Sequence, residues 1–125
     1  MEESYTYSVV VVDDEPEFRH WLRTLFGNSV DFRVVGEAAN GSEAIDIIPS
    51  LKPDLVIADM YMPPPDGLEV TRCIQERFPG TRAVLVSAYA ERVYERLAKE
   101  AGALTFIPKV SFSLEALRLA LRGEE

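Results

Sequence analysis

The chain lacks the features that mark a secreted, membrane-spanning or nucleic-acid-binding protein. It has a single cysteine, Cys73, which excludes an internal disulfide and is typical of the reducing cytoplasm. No apolar run approaches the roughly 18 residues of a membrane span, and the acidic start MEESYTYS is not a signal peptide. The formal net charge of −8 argues against nucleic-acid binding by this domain itself. We therefore expect a cytoplasmic globular protein that does not contact a membrane.

Several motifs and segment types are also absent. The sequence contains no P-loop and no dinucleotide-binding glycine motif. It has no internal repeat, low-complexity tract or linker, so residues 1–125 are expected to form one domain. The only histidine, His20, falls on the polar face of a predicted helix and is expected to be a solvated surface residue. Cys73 is expected to be a small helix residue rather than a nucleophile.

What the chain does contain is a regular alternation of β-branched runs and amphipathic segments. Strands are predicted at 8–12, 32–38, 54–59, 82–88 and 103–109, and helices at 15–27, 42–48, 67–78, 90–102 and 112–123. Ser42 is predicted to cap the second helix and Pro49 to help end it. Because buried strands alternate with helices, we predict an α/β fold with a five-stranded parallel sheet covered by helices on both faces.

Polar side chains follow four of the predicted strands at their carboxyl ends. The first strand runs into Asp13 and Asp14, the third ends in Asp59, the fourth in Ser87, and the fifth in Lys109. The carboxyl ends of parallel strands meet at one edge of the sheet, where ligands bind in folds of this kind. Taken singly, each of these residues could be a solvated loop residue. Taken together, they predict a functional site.

The residue types at this edge point to a metal and a phosphoryl group. Carboxylates as close as Asp13 and Asp14 raise each other's pKa values unless a cation neutralises them. Oxygen ligands without histidine or cysteine suit a hard cation, so we predict a Mg²⁺ site. With the metal bound, one aspartate can act as a nucleophile. A phosphoryl group on it would be stabilised by Mg²⁺, the Lys109 ammonium and the Ser87 hydroxyl.

The order and spacing of four segments make the chain resemble the receiver domains of bacterial two-component response regulators over essentially its full length. These segments are VVDDE (11–15), DMYMPPPDG (59–67), SA (87–88) and FIPK (106–109). The resemblance implies a doubly wound, flavodoxin-like sheet of strand order 2-1-3-4-5 with five helices. It also implies a signalling switch that a histidine kinase phosphorylates and that slowly dephosphorylates itself. Such a domain turns over no separate metabolite.

The resemblance assigns roles to the residues at the acidic edge. Asp59 is implied to be the phosphoacceptor. Asp13 and Asp14 are implied to hold Mg²⁺, Asp14 directly, with Asp59 as a further ligand. The backbone carbonyl of Tyr61 is implied to complete the protein ligands.

The remaining roles concern the phosphoryl group and the conformational switch. Lys109 is implied to contact the phosphoryl group. In the implied switch, the Ser87 hydroxyl moves toward the phosphate and the Phe106 ring turns inward behind it. The family often places a cis proline after this lysine, whereas here Val110 follows it and Pro108 precedes it.

Two further hypotheses concern side chains around the site and on the last helix. Tyr61 and Tyr89 lie two positions after Asp59 and Ser87, and their rings either hinder the water that hydrolyses the phosphoryl group or point to solvent. On the last helix, helical spacing aligns three apolar side chains away from the core stripe, a pattern that favours a partner surface: Phe112, Ala116 and Leu119. The alternative is that Phe112 folds back over the sheet end and Leu119 is a lone exposed leucine.

The resemblance also bears on partners. VVGEAANGSEAI and LEALRLAL resemble the subfamily whose receivers precede a helix-turn-helix DNA-binding domain. Receivers of the family commonly use the fourth and fifth helices for a homodimer or for contact with an output domain. Both are therefore expectations for this chain, together with a histidine kinase.

Other functions fit the sequence less well. A metal-dependent phosphohydrolase typically carries Asp-x-Asp on one strand end and a cap insertion, and neither is present. A flavodoxin-like cofactor binder would need a Ser/Thr/Gly-rich phosphate loop where this chain has three carboxylates. The remaining alternative is a phosphorylation-independent scaffold with the shape of a receiver.

Overall fold

The chain folds as five β–α units in sequence. The computed structural model describes residues 5–123, so residues 1–4, where the acidic start of the chain begins, and residues 124–125 lie outside the described residues. The elements in chain order are β1 (Tyr7–Val12), α1 (Pro16–Gly27), β2 (Phe32–Ala38), α2 (Gly41–Leu51), β3 (Leu55–Asp59), α3 (Gly67–Arg77), β4 (Arg82–Ser87), α4 (Arg92–Ala101), β5 (Thr105–Pro108), a 3₁₀ turn (Lys109–Ser111) and α5 (Leu114–Leu121).

The strands form one parallel sheet of order β2-β1-β3-β4-β5. This confirms the predicted class, strand order and number of helices. Side chains alternate across the sheet, as the two-residue period of a strand requires. In β1, Val10 and Val12 face a core shared with α2, α3 and α4, whereas Val9 and Val11 face the core beneath α1 and α5. The valine run is continuous because both faces of its strand are buried.

The boundaries of α2 differ from the prediction. Asn40, not Ser42, is the N-cap residue, and its side chain accepts a hydrogen bond from the Glu43 backbone N–H at 2.9 Å. Pro49 lies inside the helix, which continues to Leu51. Pro49 lacks a backbone N–H, so the helix loses one hydrogen bond there. Only two helical residues follow it, and the helix continues through them to Leu51.

The predicted outward-facing apolar stripe on the last helix is wrong. Phe112 is 5% exposed and packs edge-to-face against Phe26 at 6.2 Å between ring centroids. Ala116 also packs against this core, and Leu119 is half-buried. Phe112 precedes the first helical residue, Leu114, so helical periodicity does not determine where its side chain points. The alternative is therefore correct for Phe112, which folds back over the core, but not for Leu119, which is half-buried rather than exposed.

The expected positions of His20 and Cys73 agree with the structure. His20 is exposed on α1, with Nδ1 3.1 Å from the guanidinium of Arg23. Cys73 is a half-buried free thiol on α3. A cis peptide bond joins Pro64 and Pro65 in the loop after β3. Within residues 5–123, no helix has the length and apolar character needed to cross a membrane.

Candidate functional site

Three aspartates meet at the carboxyl edge of the sheet. Asp13 and Asp14 follow β1, and Asp59 is the last residue of the neighbouring strand β3. Each offers a carboxylate oxygen, and these oxygens all lie within 4.8 Å of one another. Asp13 is fully buried and Asp59 is 6% exposed, whereas Asp14 is open to solvent. The fold therefore brings together the three carboxylates predicted to form the metal site.

Local backbone contacts orient two of these carboxylates. Asp13 Oδ1 accepts a hydrogen bond from the Glu15 N–H at 2.8 Å, and Asp59 Oδ1 accepts one from the Tyr61 N–H at 3.0 Å. Gly67, at the start of α3, packs directly behind Asp59. A Cβ atom there would lie 2.3 Å from the Asp59 carbonyl oxygen. A glycine is required at this position, because any side chain would displace the backbone that carries Asp59.

Lys109 joins the cluster from the end of β5. Its Nζ lies 2.9 Å from Asp13 Oδ2 and 3.1 Å from Asp59 Oδ2, as predicted from the strand ends. Two further contacts were not predicted. Glu15 Oε1 lies 2.8 Å from the same Nζ, and the ring centroid of Phe18 on α1 lies 4.4 Å from it. The Lys109 side chain is 11% exposed, so its ammonium is held largely away from solvent.

Burial sets the electrostatics of the cluster. Desolvation raises the pKa of Asp13 above its usual range, although hydrogen bonding to Lys109 partly offsets this. Burial by itself lowers the pKa of Lys109, but hydrogen bonds to Glu15 and Asp13 outweigh it, so the pKa of Lys109 is raised. The lysine is therefore charged at neutral pH.

The donor set fits a hard cation. Asp13 Oδ2 is buried, and among the described residues it faces the Lys109 ammonium, 2.9 Å away. One ammonium faces several carboxylates, so the cluster keeps a net negative charge. Carboxylate oxygens in this number and spacing are suited to Mg²⁺, which keeps part of its water shell. Asp13, Asp14 and Asp59 are the residues that would hold it.

The two predicted switch residues lie on the neighbouring strands. Ser87 ends β4, directly after Val86, which pairs with Asp59. It is fully buried, and its Oγ accepts a hydrogen bond from the Tyr89 N–H at 3.1 Å. Phe106 is half-buried on β5, where it pairs with Leu85. The strand register therefore places the Ser87 hydroxyl next to the end of β3, where Asp59 lies. The Phe106 ring lies on β5, one strand further from Asp59.

An aromatic cluster borders the aspartates on the β4 side. We define it by four side chains from four different segments: Tyr61, Tyr89, Tyr94 and Phe106. The Tyr61 ring packs edge-to-face against Tyr89 at 5.9 Å and against Tyr94 at 5.6 Å. Tyr94, on α4, also lies 6.1 Å from Phe106. A hydrogen bond with Tyr61 raises the pKa of Tyr94 to about 12. Tyr61 and Tyr89 are 50% and 59% exposed, so both rings are open to solvent while they contact each other.

Sequence reasoning missed three contributors to the site. Glu15 adjoins the aspartate pair, so its proximity was visible in the sequence, but its contact with Lys109 was not. Phe18 and Tyr94 carry no motif that distinguishes them from core residues of amphipathic helices. The proposed metal contact of the Tyr61 carbonyl remains a prediction.

Comparison with known proteins identifies relatives of the whole described fold. The family model described as "Response regulator receiver domain" matches residues 9–122. The chain is 37% identical over 98 residues to the uncharacterised transcriptional regulatory protein YhcZ of Bacillus subtilis, covering 78% of this chain and 46% of that protein. It is 40% identical over 103 residues to protein-glutamate methylesterase/protein-glutamine glutaminase 3 of Hahella chejuensis, covering 81% of this chain and 29% of that protein.

A solved structure shows the same likeness in three dimensions. The two-component response regulator of the LuxR family from Aurantimonas sp. SI85-9A1 superposes with a TM-score of 0.87 at 30% identity. The match covers 96% of this chain and 88% of that one. The chain spans less than half the length of the two relatives named above, and those two differ in the function their names give.

Proposed function

Because the chain belongs to the response-regulator receiver domain family, we propose that it is a Mg²⁺-dependent phosphoacceptor switch, phosphorylated on Asp59 by a histidine kinase. Receiver domains are phosphorylation switches in general. The observation that carries the proposal for this chain is the juxtaposition of three carboxylates within 4.8 Å with the Lys109 ammonium 3.1 Å from Asp59. A scaffold that does not accept phosphate would not need this arrangement.

The proposed reaction is an in-line transfer. A carboxylate oxygen of Asp59 attacks the phosphorus of a phosphorylated histidine, a P–O bond forms, and the P–N bond breaks with its electron pair going to the imidazole nitrogen. Lys109 balances charge on the phosphoryl oxygens. Asp13, Asp14, Asp59 and the Tyr61 carbonyl would hold Mg²⁺, which supplies further charge neutralisation when bound. Water later attacks the same phosphorus, the P–O bond to Asp59 breaks, and inorganic phosphate leaves while Asp59 returns to its carboxylate.

The switch is proposed to run through the neighbouring strands. The Ser87 hydroxyl, now accepting from the Tyr89 N–H, would turn toward the phosphoryl group. Phe106 would move inward into the space released. Tyr94 packs against Phe106, so this movement would reach α4.

The partners and the output of the switch are proposed from the family. We place the domain over residues 1–125, in the cytoplasm with its kinase, and we assign its signalling contacts to α4 and α5, for a homodimer or an output domain. A DNA-binding output is the proposal, since YhcZ is named a transcriptional regulatory protein. The Hahella relative is named a methylesterase and offers the alternative of an enzymatic output.

Intact-mass measurement tests the proposal. The protein is incubated with Mg²⁺ and phosphoramidate, alongside Asp59→Asn and the control Asp46→Asn, which removes an exposed carboxylate from α2. We expect one phosphoryl group on the wild type and on the control, none on Asp59→Asn, and none after Mg²⁺ is chelated. If the folded wild type gains no phosphoryl group and binds no beryllofluoride, the scaffold alternative replaces the proposal.

A further inference from the structure

Lys109 has more partners than its proposed role requires. Its Nζ lies 2.8 Å from Glu15 Oε1, 2.9 Å from Asp13 Oδ2 and 3.1 Å from Asp59 Oδ2. The face of Phe18 closes a further side, 4.4 Å away. A lysine ammonium has three N–H donors, and three carboxylates surround it here. A phosphoryl oxygen can bind this Nζ only if one carboxylate gives way.

Burial distinguishes the three carboxylates. Asp13 is fully buried, and a buried charge that loses its partner is strongly destabilising, so Asp13 does not readily release the ammonium. Asp59 is the residue that receives the phosphoryl group. The Glu15 side chain is 60% exposed, so water can solvate it as soon as it turns outward. Glu15 is therefore the partner whose release costs least.

The position of Glu15 in its helix supports this. Glu15 is the N-cap residue of α1, where a side chain commonly accepts a hydrogen bond from the first turn. Its side chain makes no such capping bond and reaches Lys109 instead. The Glu15 side chain is therefore not part of the helix cap, and its hydrogen bond with Lys109 spans 94 positions of sequence.

We propose that Glu15 is a positioning residue that retains Lys109 in the unphosphorylated protein and releases it to the phosphoryl group on Asp59. This inference rests on the proposed function. Because the carboxylate stabilises only the starting state, it slows phosphorylation. It also keeps the ammonium paired until a stronger anion arrives.

Glu15→Gln tests the proposal, with Glu17→Gln as its matched control. Both variants remove one negative charge from the start of α1, but only Glu15 contacts Lys109. At saturating Mg²⁺, we expect Glu15→Gln to take phosphate from phosphoramidate about two- to five-fold faster than Glu17→Gln, the factor expected for one exposed ion pair. Equal rates, or a slower Glu15→Gln, would overturn the inference and leave the proposed function standing. A wild type that gains no phosphoryl group on Asp59 would overturn both.

A second measurement needs neither metal nor phosphate. Acylation by an N-hydroxysuccinimide ester requires an accessible, deprotonated amine, so Lys109 should react slowly in the wild type. In Mg²⁺-free buffer, peptide mapping should show faster Lys109 labelling in Glu15→Gln than in the wild type or Glu17→Gln. Identical labelling in all three proteins would mean that Glu15 does not retain the lysine in solution.

Discussion

Tyr61 lies next to the Asp59 carboxylate with both its backbone N–H and its ring. Its backbone N–H donates to Asp59 Oδ1 at 3.0 Å, while its ring belongs to the aromatic cluster. Edge-to-face contacts with two other tyrosines hold the ring beside the acidic edge. A held ring excludes water more effectively than a free one, because it occupies its volume for a larger fraction of the time. That the tyrosines limit hydrolysis stays a prediction.

At the residue scale, we expect Tyr61→Asn to shorten the lifetime of phosphorylated Asp59 several-fold. The smaller polar side chain would open a path for water and could itself orient a water molecule. Decay of the phosphorylated form is followed by intact mass after removal of phosphoramidate. Tyr5→Asn is the control, since Tyr5 is similarly exposed but precedes β1 at the opposite end of the sheet. An unchanged or slower decay in Tyr61→Asn would rule out this role.

Among the elements, α2 and α3 illustrate how side chains fix helix starts near the acidic edge. Asp66 and Glu69 form a reciprocal capping box at the start of α3, with both hydrogen bonds at 2.9 Å. At α2, Glu43 accepts a hydrogen bond from the Ala39 N–H at 2.9 Å while Asn40 caps the helix. Both caps follow strands that end at this edge, so they fix the direction in which the chain leaves it.

At the element scale, we expect Asn40→Ala to lower the free energy of unfolding by about 1 kcal/mol, the usual cost of losing a capping side chain. Ser42 is exposed, and its substitution by alanine should change stability by only a few tenths of that amount. Urea unfolding followed by circular dichroism measures both. Equal losses in the two variants would contradict the assignment of Asn40 as the cap.

For the molecule as a whole, the acidic edge is a stability cost. The chain carries 21 acidic and 13 basic residues, and several of the carboxylates are gathered at one edge. The raised pKa of Asp13 means that the folded state binds this proton more tightly than the unfolded state does. Ionisation of Asp13 therefore opposes folding above its folded-state pKa, and the penalty disappears below the unfolded value of about 4. A bound cation would offset the same penalty.

At this scale, we expect Mg²⁺ to stabilise the folded protein by about 1.4 kcal/mol when its free concentration is ten times its Kd. Thermal unfolding at constant ionic strength measures the shift in Tm. Asp13→Asn should be more stable than the wild type without Mg²⁺ and should respond little to Mg²⁺, whereas Asp46→Asn should respond fully. A Tm that Mg²⁺ leaves unchanged in the wild type would contradict the proposed metal site.

The sequence was sufficient to predict a structural feature wherever the interaction that controls the feature is local or follows a periodic pattern. Continuous valine and isoleucine runs predicted the buried strands, and the strand ends predicted that Asp13, Asp59 and Lys109 converge. Prediction was wrong where a contact between elements decided the outcome. Phe112 lies just outside α5, so its burial depends on the position of Phe26 rather than on spacing. Asn40 and Ser42 are both good caps by composition, and backbone geometry selects between them.

By itself, then, the sequence determined the strand pattern, the class of fold and the side chains gathered at one edge, because burial and chain direction act through residue order. Only the tertiary structure decided which groups compete for the same atom. Glu15 and Lys109 are 94 positions apart, and Tyr61, Tyr94 and Phe106 lie on three separate segments. Such contacts depend on helix packing and rotamers, which result from the summed energy of the whole core rather than from any local pattern.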